Sequence, residues 1–443
     1  RPDLWGGIGG AVSLEARVRA CRPRRAWSRS LIDPAVPRSS FGLPRDGATG
    51  AETTVPSVLG GSKVDDRGPD DDVAPTTHAR TRIHMAPFRV AVAGVGSFTQ
   101  RVLLPGLLAT PGVEVVGVFG PTRAKVSDTA SRLGISSAFD DYTAMLEVAQ
   151  PDAVVIATPN DLHASMALEA TARGLHVLCE KPLGISLAEA EAMHGAALKA
   201  GVRTAVNFTY RSTTAFRHAR SMIREGAVGR VRHVGISFHQ GVRADPSVPV
   251  AFRMLRERGG GALLDIGPHM IDALRWLVGE VDAVVGATQI DVPLRPAVLG
   301  GEAVAPVTAD DAASFIVRLR GGAIGVVQFS QVTHGRHGFR RFEIAGDVGT
   351  LSLEEDRDEP PVVRYAAAGR AAGRLDVVPS PTHLTSAFAD FPAHHVARMV
   401  RALRGEPHAP GDDPWPNFAD GLAAQRVLDA VERSAHIGQW VTT

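Results

Sequence analysis

At 443 residues the chain is long enough for two domains and a tail, and a hydrophobic fraction of 44% with 21% charged residues is that of a globular protein. A formal net charge of +1 gives no electrostatic footprint for nucleic acid or an anionic membrane, and no apolar run approaches the roughly 18 residues of a spanning helix. Two cysteines, Cys21 and Cys179, make no disulfide framework, so a reducing, cytoplasmic compartment is expected.

Residues 1–84 are dominated by Arg, Gly, Pro, Ser and Asp and carry no sustained apolar period, which predicts a disordered extension. Met85, just ahead of the first strand-like run, reads as the natural first residue, with the preceding stretch translated from a misplaced start. Arg24-Arg25 is not followed by the apolar region that an export signal needs.

From Phe88 the pattern changes. A strand-like Phe-Arg-Val-Ala-Val-Ala runs into Gly94-Val95-Gly96-Ser97-Phe98-Thr99 and then a helical stretch through Leu108. Strand, glycine turn and helix is the context of a dinucleotide fingerprint: Gly94 permits the tight turn, and Gly96 lets the backbone approach a pyrophosphate at the helix N-terminus. Ser97 and Phe98 complete the turn, and Thr99 stands where a third glycine is usual. Alone, the motif also suits an ordinary strand–helix turn. The alternation continues, with strands over Val113–Phe119, Ala153–Ala157, His176–Cys179 and Val202–Val206, and helices over Arg123–Leu133, Asp161–Arg173 and Ser186–Lys199. Strands separated by helices of this length predict right-handed βαβ units and a parallel sheet, whose ligands bind at the carboxyl ends of the strands. That rim collects Gly94 to Phe98, Gly120 to Arg123, Thr158-Pro159-Asn160 and Glu180-Lys181.

At the end of the second strand an acidic residue would bind the adenosine ribose and repel a 2′-phosphate. Gly120 stands there, followed by Pro121, Thr122 and Arg123, so the cofactor is NADP or NAD, with NADP favoured. The alternative is that Arg123 is a solvated residue of the first helical turn.

Cys179-Glu180-Lys181-Pro182 closes the fourth strand with a scarce residue, since only four of the 48 basic side chains are lysine: Lys63, Lys125, Lys181 and Lys199. A compact ammonium with a readily shifted pKa suits the stabilisation of an alkoxide or the relay of a proton, which a planar guanidinium does not.

After Asn207-Phe208-Thr209-Tyr210-Arg211 a helix is expected over Ser212–Glu225 and a long strand over Arg230–Gln240. Then Phe252-Arg253 and a triple glycine lead into Asp265-Ile266-Gly267-Pro268-His269 and Asp272. Helical geometry would put Asp265, His269 and Asp272 on one face, approximately, because Gly267-Pro268 kinks or restarts the helix. A histidine beside carboxylates exchanges protons near neutral pH. In the alternative reading Asp265 caps the helix from Pro268 and His269 is a satisfied core histidine. Neither a close cysteine pair nor a His-Glu-x-x-His helix is present, so no metal site is expected. Strands over Val284–Ile290, Ala312–Leu319, Ala323–Thr333, Phe342–Ala345 and Thr350–Leu353 predict a largely antiparallel sheet, followed by helices over Leu384–Leu403 and Phe418–Ser434.

Taken together, Gly94-Val95-Gly96, Ala157-Thr158-Pro159-Asn160 with His163, Glu180-Lys181-Pro182, the triple glycine with Asp265, His269 and Asp272, and the tail Phe418-Ala419-Asp420-Gly421-Leu422 through Arg433-Ser434 resemble the glucose-fructose oxidoreductase/inositol dehydrogenase/MocA family over residues 88–443. The resemblance implies an α/β protein: a Rossmann NAD(P)-binding domain over 85–207 and an α/β domain over 208–443, whose open, largely antiparallel sheet carries the substrate face and an oligomer interface. A homo-oligomer, dimer or tetramer, follows. It also implies that Lys181 lies beside the nicotinamide and the reacting oxygen, that His269 accepts or donates the proton, and that Asp265 assists both. His163 and Glu180 join the cofactor set. Tyr210, Arg211 and Arg253, with Asp265 and His269, are the residues expected to meet a small polyhydroxylated substrate: a sugar, inositol, polyol or related alcohol or carbonyl. Two other functions are compatible with the fold. One is a non-catalytic sensor of NAD(P) and sugar, which has no use for Lys181, Asp265 and His269 together; the other uses bound NAD(P) in a net non-redox cleavage or elimination.

Overall fold

The computed structural model describes residues 86–356, 359–369, 374–379, 391–408 and 412–443. The expectations for residues 1–84 and for the first turns of the helix predicted from Leu384 lie outside the described residues.

Six strands form the first sheet: β1 (Phe88–Ala93), β2 (Val113–Phe119), β3 (Ala138–Phe139), β4 (Ala153–Ile156), β5 (His176–Cys179) and β6 (Thr204–Val206). Their order is β3-β2-β1-β4-β5-β6 and every pairing is parallel. This is the doubly wound order, and its switch point falls between β1 and β4. The strands are apolar on both faces because helices cover both: Val90, Ala91, Val92 and Ala93 have no exposed surface. The connections are α1 (Leu104–Ala109), α2 (Arg123–Leu133), α3 (Tyr142–Ala149), α4 (His163–Ala172) and α5 (Leu187–Ala200). Asp141 and Ser186 start α3 and α5 by accepting the amides of Ala144 and Glu189, and Gly134 and Gly201 end α2 and α5 in the left-handed conformation.

The chain then builds α6 (Thr214–Arg224), β7 (Val231–Gln240), α7 (Ala262–Asp265), α8 (Gly267–Val278) and β8 (Val281–Gln289). A short ribbon follows, β9 (Leu294–Pro296) with β10 (Val304–Pro306). Next come β11 (Ala312–Leu319), β12 (Ile324–Ser330), β13 (His337–Gly346), β14 (Gly349–Asp356), β15 (Glu359–Ala367) and β16 (Asp376–Val378). Two helices, α9 (Phe391–Arg404) and α10 (Phe418–Ile437), precede β17 (Val441–Thr442). The second sheet runs β16-β15-β14-β13-β7-β12-β11-β8-β17, antiparallel except where β7 meets β12. In β11 the alternation is regular, with Ala313, Phe315, Val317 and Leu319 buried and Ser314, Ile316 and Arg318 exposed, so one face of the sheet is covered and the other is open.

Sequence order does not dictate which layer a helix joins. Val396, Met399, Val400 and Leu403 of α9 are buried with Leu103, Leu104 and Leu107 against the first sheet, far back along the chain. Each such side chain contributes about 1.5–3 kcal/mol by burial. A side chain at Gly106 of α1 would strike Val396, so α1 must be bare at that point for α9 to dock.

Candidate active site

A cleft of about 600 Å³ opens at the carboxyl ends of the first sheet, between that sheet and the α7–α8 segment. Its floor is the turn after β1. Gly94 has φ +102°, and a Cβ there would collide with the Ala157 carbonyl oxygen at the end of β4. Gly96 faces open space, and the helix begins at Ser97, passing through a π turn over Thr99–Leu103 before α1. Bare backbone followed by free helix N–H groups is the cradle a pyrophosphate requires, so these residues fit a dinucleotide. Thr99, in place of the third glycine, is 1% exposed and packs inside the turn. At Gly120 a Cβ would press to 3.0 Å on Val126 and 3.2 Å on Val95. The position that holds a carboxylate in the usual fingerprint has little room for one here.

Of the expected site residues, Gly96, Ser97, Phe98, Thr158, Pro159, Asn160, Glu180, Lys181, Arg253, Asp265 and His269 line the cleft. Thr122, Arg123, His163, Tyr210 and Arg211 lie elsewhere. Thr122 and Arg123 do not line it: Arg123 sits on the surface, 3.2 Å from Asp140, which is the solvated-turn alternative. Besides Lys181 and Arg253, the cations that line the cleft are Arg101 and Lys125. His163 is fully buried, with Nδ1 2.9 Å from the Pro182 carbonyl and Nε2 3.1 Å from that of Thr158, so it ties together two loops of the rim. Burial lowers its pKa.

Arg211 also departs from expectation. It is 8% exposed, donating to both oxygens of Asp272 at 2.9 and 2.5 Å and to Asp420 at 2.9 Å. It opens onto a separate cavity of about 560 Å³ with Arg220, Arg275 and Trp276. Asp272 therefore does not share a working face with Asp265 and His269: the helix breaks at Ile266, and Asp272 turns into the core. Nor does Asp265 cap α8, whose N-cap is Ile266 without a side-chain bond. Tyr210 is 8% exposed and its hydroxyl accepts from Arg340 at 2.5 Å, away from the cleft.

What the fold brings together is a lysine, an aspartate and a histidine. Lys181 Nζ donates to Asp265 Oδ1 at 2.9 Å and to the Asp265 backbone carbonyl at 2.7 Å. Gln331, just beyond β12, donates from Nε2 to Asp265 Oδ2 at 2.8 Å, so both carboxylate oxygens are held. Burial alone would raise the Asp265 pKa, but Lys181, Arg253 and Arg243 outweigh it and hold the carboxyl well below its ordinary value. Glu180, behind Lys181, is raised by burial, against the bond it accepts from Asn207 at 2.5 Å. His269 has its Nδ1 buried without a hydrogen-bond partner, which leaves Nε2 for the cleft. Burial first, then the Lys181 charge, lower its pKa well below 6.5. A neutral imidazole beside an ammonium can take a proton from a hydroxyl whose oxygen the ammonium stabilises.

The two halves of the cleft are strapped across the gap. Asn160 donates to the Gly259 carbonyl at 2.8 Å, and Arg258 to Asp161 at 2.5 Å. Arg101, Lys125, Thr209, Phe252 and Gln331 were not legible as site residues. Of these, Lys125 carried a usable signal, being one of four lysines and lying in the first turn of the helix that follows Gly120. Among the described residues no group of three or more His, Cys, Asp or Glu is placed to hold a metal ion.

A doubly wound domain with an open glycine turn, joined to a domain that presents Asp265 and His269 to Lys181, defines a nicotinamide-dependent oxidoreductase. Residues 88–208 match the oxidoreductase family with an NAD-binding Rossmann fold, and residues 216–352 match the GFO/IDH/MocA C-terminal domain. The chain belongs to the glucose-fructose oxidoreductase/inositol dehydrogenase/MocA family. It is 32% identical over 357 residues to levoglucosan dehydrogenase of Pseudarthrobacter phenanthrenivorans, covering 75% of this chain and 90% of that one. It is 30% identical over 341 residues to 1,5-anhydro-D-fructose reductase of Ensifer adhaerens, covering 76% and 96%. A solved levoglucosan dehydrogenase in complex with NADH and L-sorbose superposes with a TM-score of 0.72 at 28% identity, over 80% of this chain and 98% of that one.

Proposed function

We propose that this oxidoreductase interconverts a hydroxyl and a carbonyl on a sugar, inositol or related polyol. The observation that carries the reading is the convergence of Lys181, Asp265 and His269 on one cleft, 84 residues of chain separating the first two. The names of the relatives support the substrate class. In the oxidative direction His269 accepts the hydroxyl proton at Nε2, its lowered pKa leaving it unprotonated at neutral pH. Lys181 donates to the substrate oxygen as negative charge develops there, and Asp265 fixes the ammonium in place. When bound, the nicotinamide supplies the hydride acceptor, or the donor in the reverse direction. Arg253, which lines the cleft with its Nε 3.9 Å from Asp265 Oδ1, is the residue placed to hold a further hydroxyl.

NADP(H) ahead of NAD(H) is the finer reading, supported by the crowded Gly120 and by Lys125 and Arg101 lining the cleft. The NADH complex of the solved relative marks the other outcome. A homo-oligomer is supported by Ile316, Ile324 and Val326, which are exposed on the open face of neighbouring strands β11 and β12. Light scattering on the purified chain decides it.

The test of function is absorbance of reduced nicotinamide with NAD⁺ and NADP⁺ separately, against levoglucosan, 1,5-anhydro-sugars, inositols and linear polyols. A signal lost in Lys181→Met supports the reading. Cofactor that binds and stays oxidised across the panel would sink it in favour of sensing or a net non-redox reaction.

A further inference from the structure

Behind His269 lies a stack of rings that does not line the cleft. The imidazole lies on the ring of Tyr210, centroids 4.9 Å apart and planes 26° apart, with Phe208 edge-on at 6.3 Å. The Tyr210 ring also stacks on Phe216 at 4.9 Å and 20°. Arg340, on β13 of the second sheet, sends Nη1 to the Tyr210 hydroxyl at 2.5 Å and holds its guanidinium 4.7 Å from the Tyr210 ring centroid. Its Nη2 donates to Glu355 on β14 at 2.8 Å. The side chains of Arg340 and Glu355 are 17% and 18% exposed, so their charges are only partly screened by water.

We infer that Arg340 is a positioning residue for His269: it clamps the Tyr210 ring on which the imidazole lies, and its charge disfavours the cationic form of that imidazole. The inference rests on the reading of His269 as the proton carrier. Two effects follow from the geometry. The bond to the Tyr210 hydroxyl fixes the ring in its plane, which sets the direction of Nε2 in the cleft. A fixed positive charge one ring away raises the free energy of a second positive charge on the imidazole. Besides the Tyr210 ring stacked on it, the charged and titratable groups acting on His269 include Lys181 just past β5, Asp265 on α7, Arg340 on β13 and His395 on α9. Asp265 favours the imidazolium and the others oppose it. Lys181 and Asp265 are engaged in the chemistry, and His395 is itself held neutral at ordinary pH, to about 3, foremost by burial. Arg340 is the permanent charge in this set that does not line the cleft, so it tunes the base without contacting substrate.

Histidine-labelled protein, titrated by carbon–proton NMR with the His269 signal assigned through His269→Gln, reads the effect without any substrate. In Arg340→Met the His269 titration midpoint should rise by about half a pH unit or more, whereas Arg340→Lys, which keeps the charge, should stay near the wild type. Glu355→Gln, a smaller change, leaves Arg340 less compensated, so there the midpoint should not rise. An unchanged midpoint in folded Arg340→Met, or a rise in Glu355→Gln, overturns the inference. A chain that shows these shifts yet reduces no cofactor would instead refute the proposed dehydrogenase reaction, so the two failures are distinguishable.

Discussion

Lys181 and Asp265 are joined twice: the ammonium holds the aspartate's carboxylate at 2.9 Å and its backbone carbonyl at 2.7 Å. A double contact to one residue fixes the ammonium relative to the backbone of α7 as well as to a rotatable side chain. In the proposed reaction the substrate oxygen meets a donor whose position is set by folding, which is the condition for electrostatic stabilisation without reorganisation.

Replacing that donor tests its role. Lys181→Met should lower kcat by about 10²–10³-fold, the usual cost of one preorganised donor, and leave the dissociation constant for reduced nicotinamide within a few fold. Steady-state rates and a fluorescence titration of NAD(P)H measure the two quantities. A variant with full turnover would end the assignment.

Gly94 and Gly96 should behave differently although both belong to the same turn. Gly94→Ala must adopt φ +102° and push a methyl into the Ala157 carbonyl, so it should lose both cofactor binding and stability, by about 1–3 kcal/mol. Gly96→Ala meets nothing within 4 Å and should fold as the wild type while binding cofactor more weakly. Denaturant midpoints and cofactor titrations of the pair decide the matter; equal stabilities would count against the geometry of the turn.

Arg211 is a structural cation. Arg211→Met leaves Asp272, 1% exposed, without its partner, and should cost about 3–5 kcal/mol of stability. Whatever folded fraction remains should keep the wild-type KM. A raised KM at unchanged stability would return Arg211 to the substrate.

Lys125→Ala should weaken NADP⁺ about tenfold and NAD⁺ much less, since an ammonium that meets a 2′-phosphate is worth roughly 1.4 kcal/mol or more in a charge-assisted bond. Parallel KM measurements for the two cofactors test this. Equal loss for both would assign Lys125 to the shared part of the cofactor.

Acid sensitivity has a defined sign. His163, His269 and His395 are all held below 6.5, foremost by burial, His395 to about 3. The unfolded chain takes up protons near pH 6.5 that the folded chain refuses, so the stability these groups contribute is complete above that pH and is lost as the pH falls towards about 3. Denaturant midpoints should fall from pH 7.5 to 4.5. In His395→Leu the slope should be shallower by up to about 1.4 kcal/mol per pH unit, the value of one proton. Identical slopes would remove His395 from the account.

The predicted bounds of β2, α2, β5 and β11 coincide with the structure because each is ended by a glycine, an acid or a charged turn. The sequence pattern does not predict helix α3, which is eight residues long with little room for a period to show. Strand β15 begins Glu359-Pro360-Pro361, and two prolines argue against a strand. They are accommodated because β16 pairs only with Val363–Tyr365, leaving the proline end of β15 open on that side.

The sequence by itself determined the Rossmann alternation and the glycine turn, which depend on local pattern, and through the family resemblance it singled out Lys181, Asp265 and His269 as candidates. Only the tertiary structure decided which neighbours these side chains meet. Arg211 and Asp272 found each other in the core, Tyr210 turned its hydroxyl to Arg340, and Gln331 and Lys125 entered the site from positions that no local pattern singles out. The reason is physical. A buried charge must find its partner wherever the fold supplies one, and the partners here lie 61, 130 and 66 residues away along the chain.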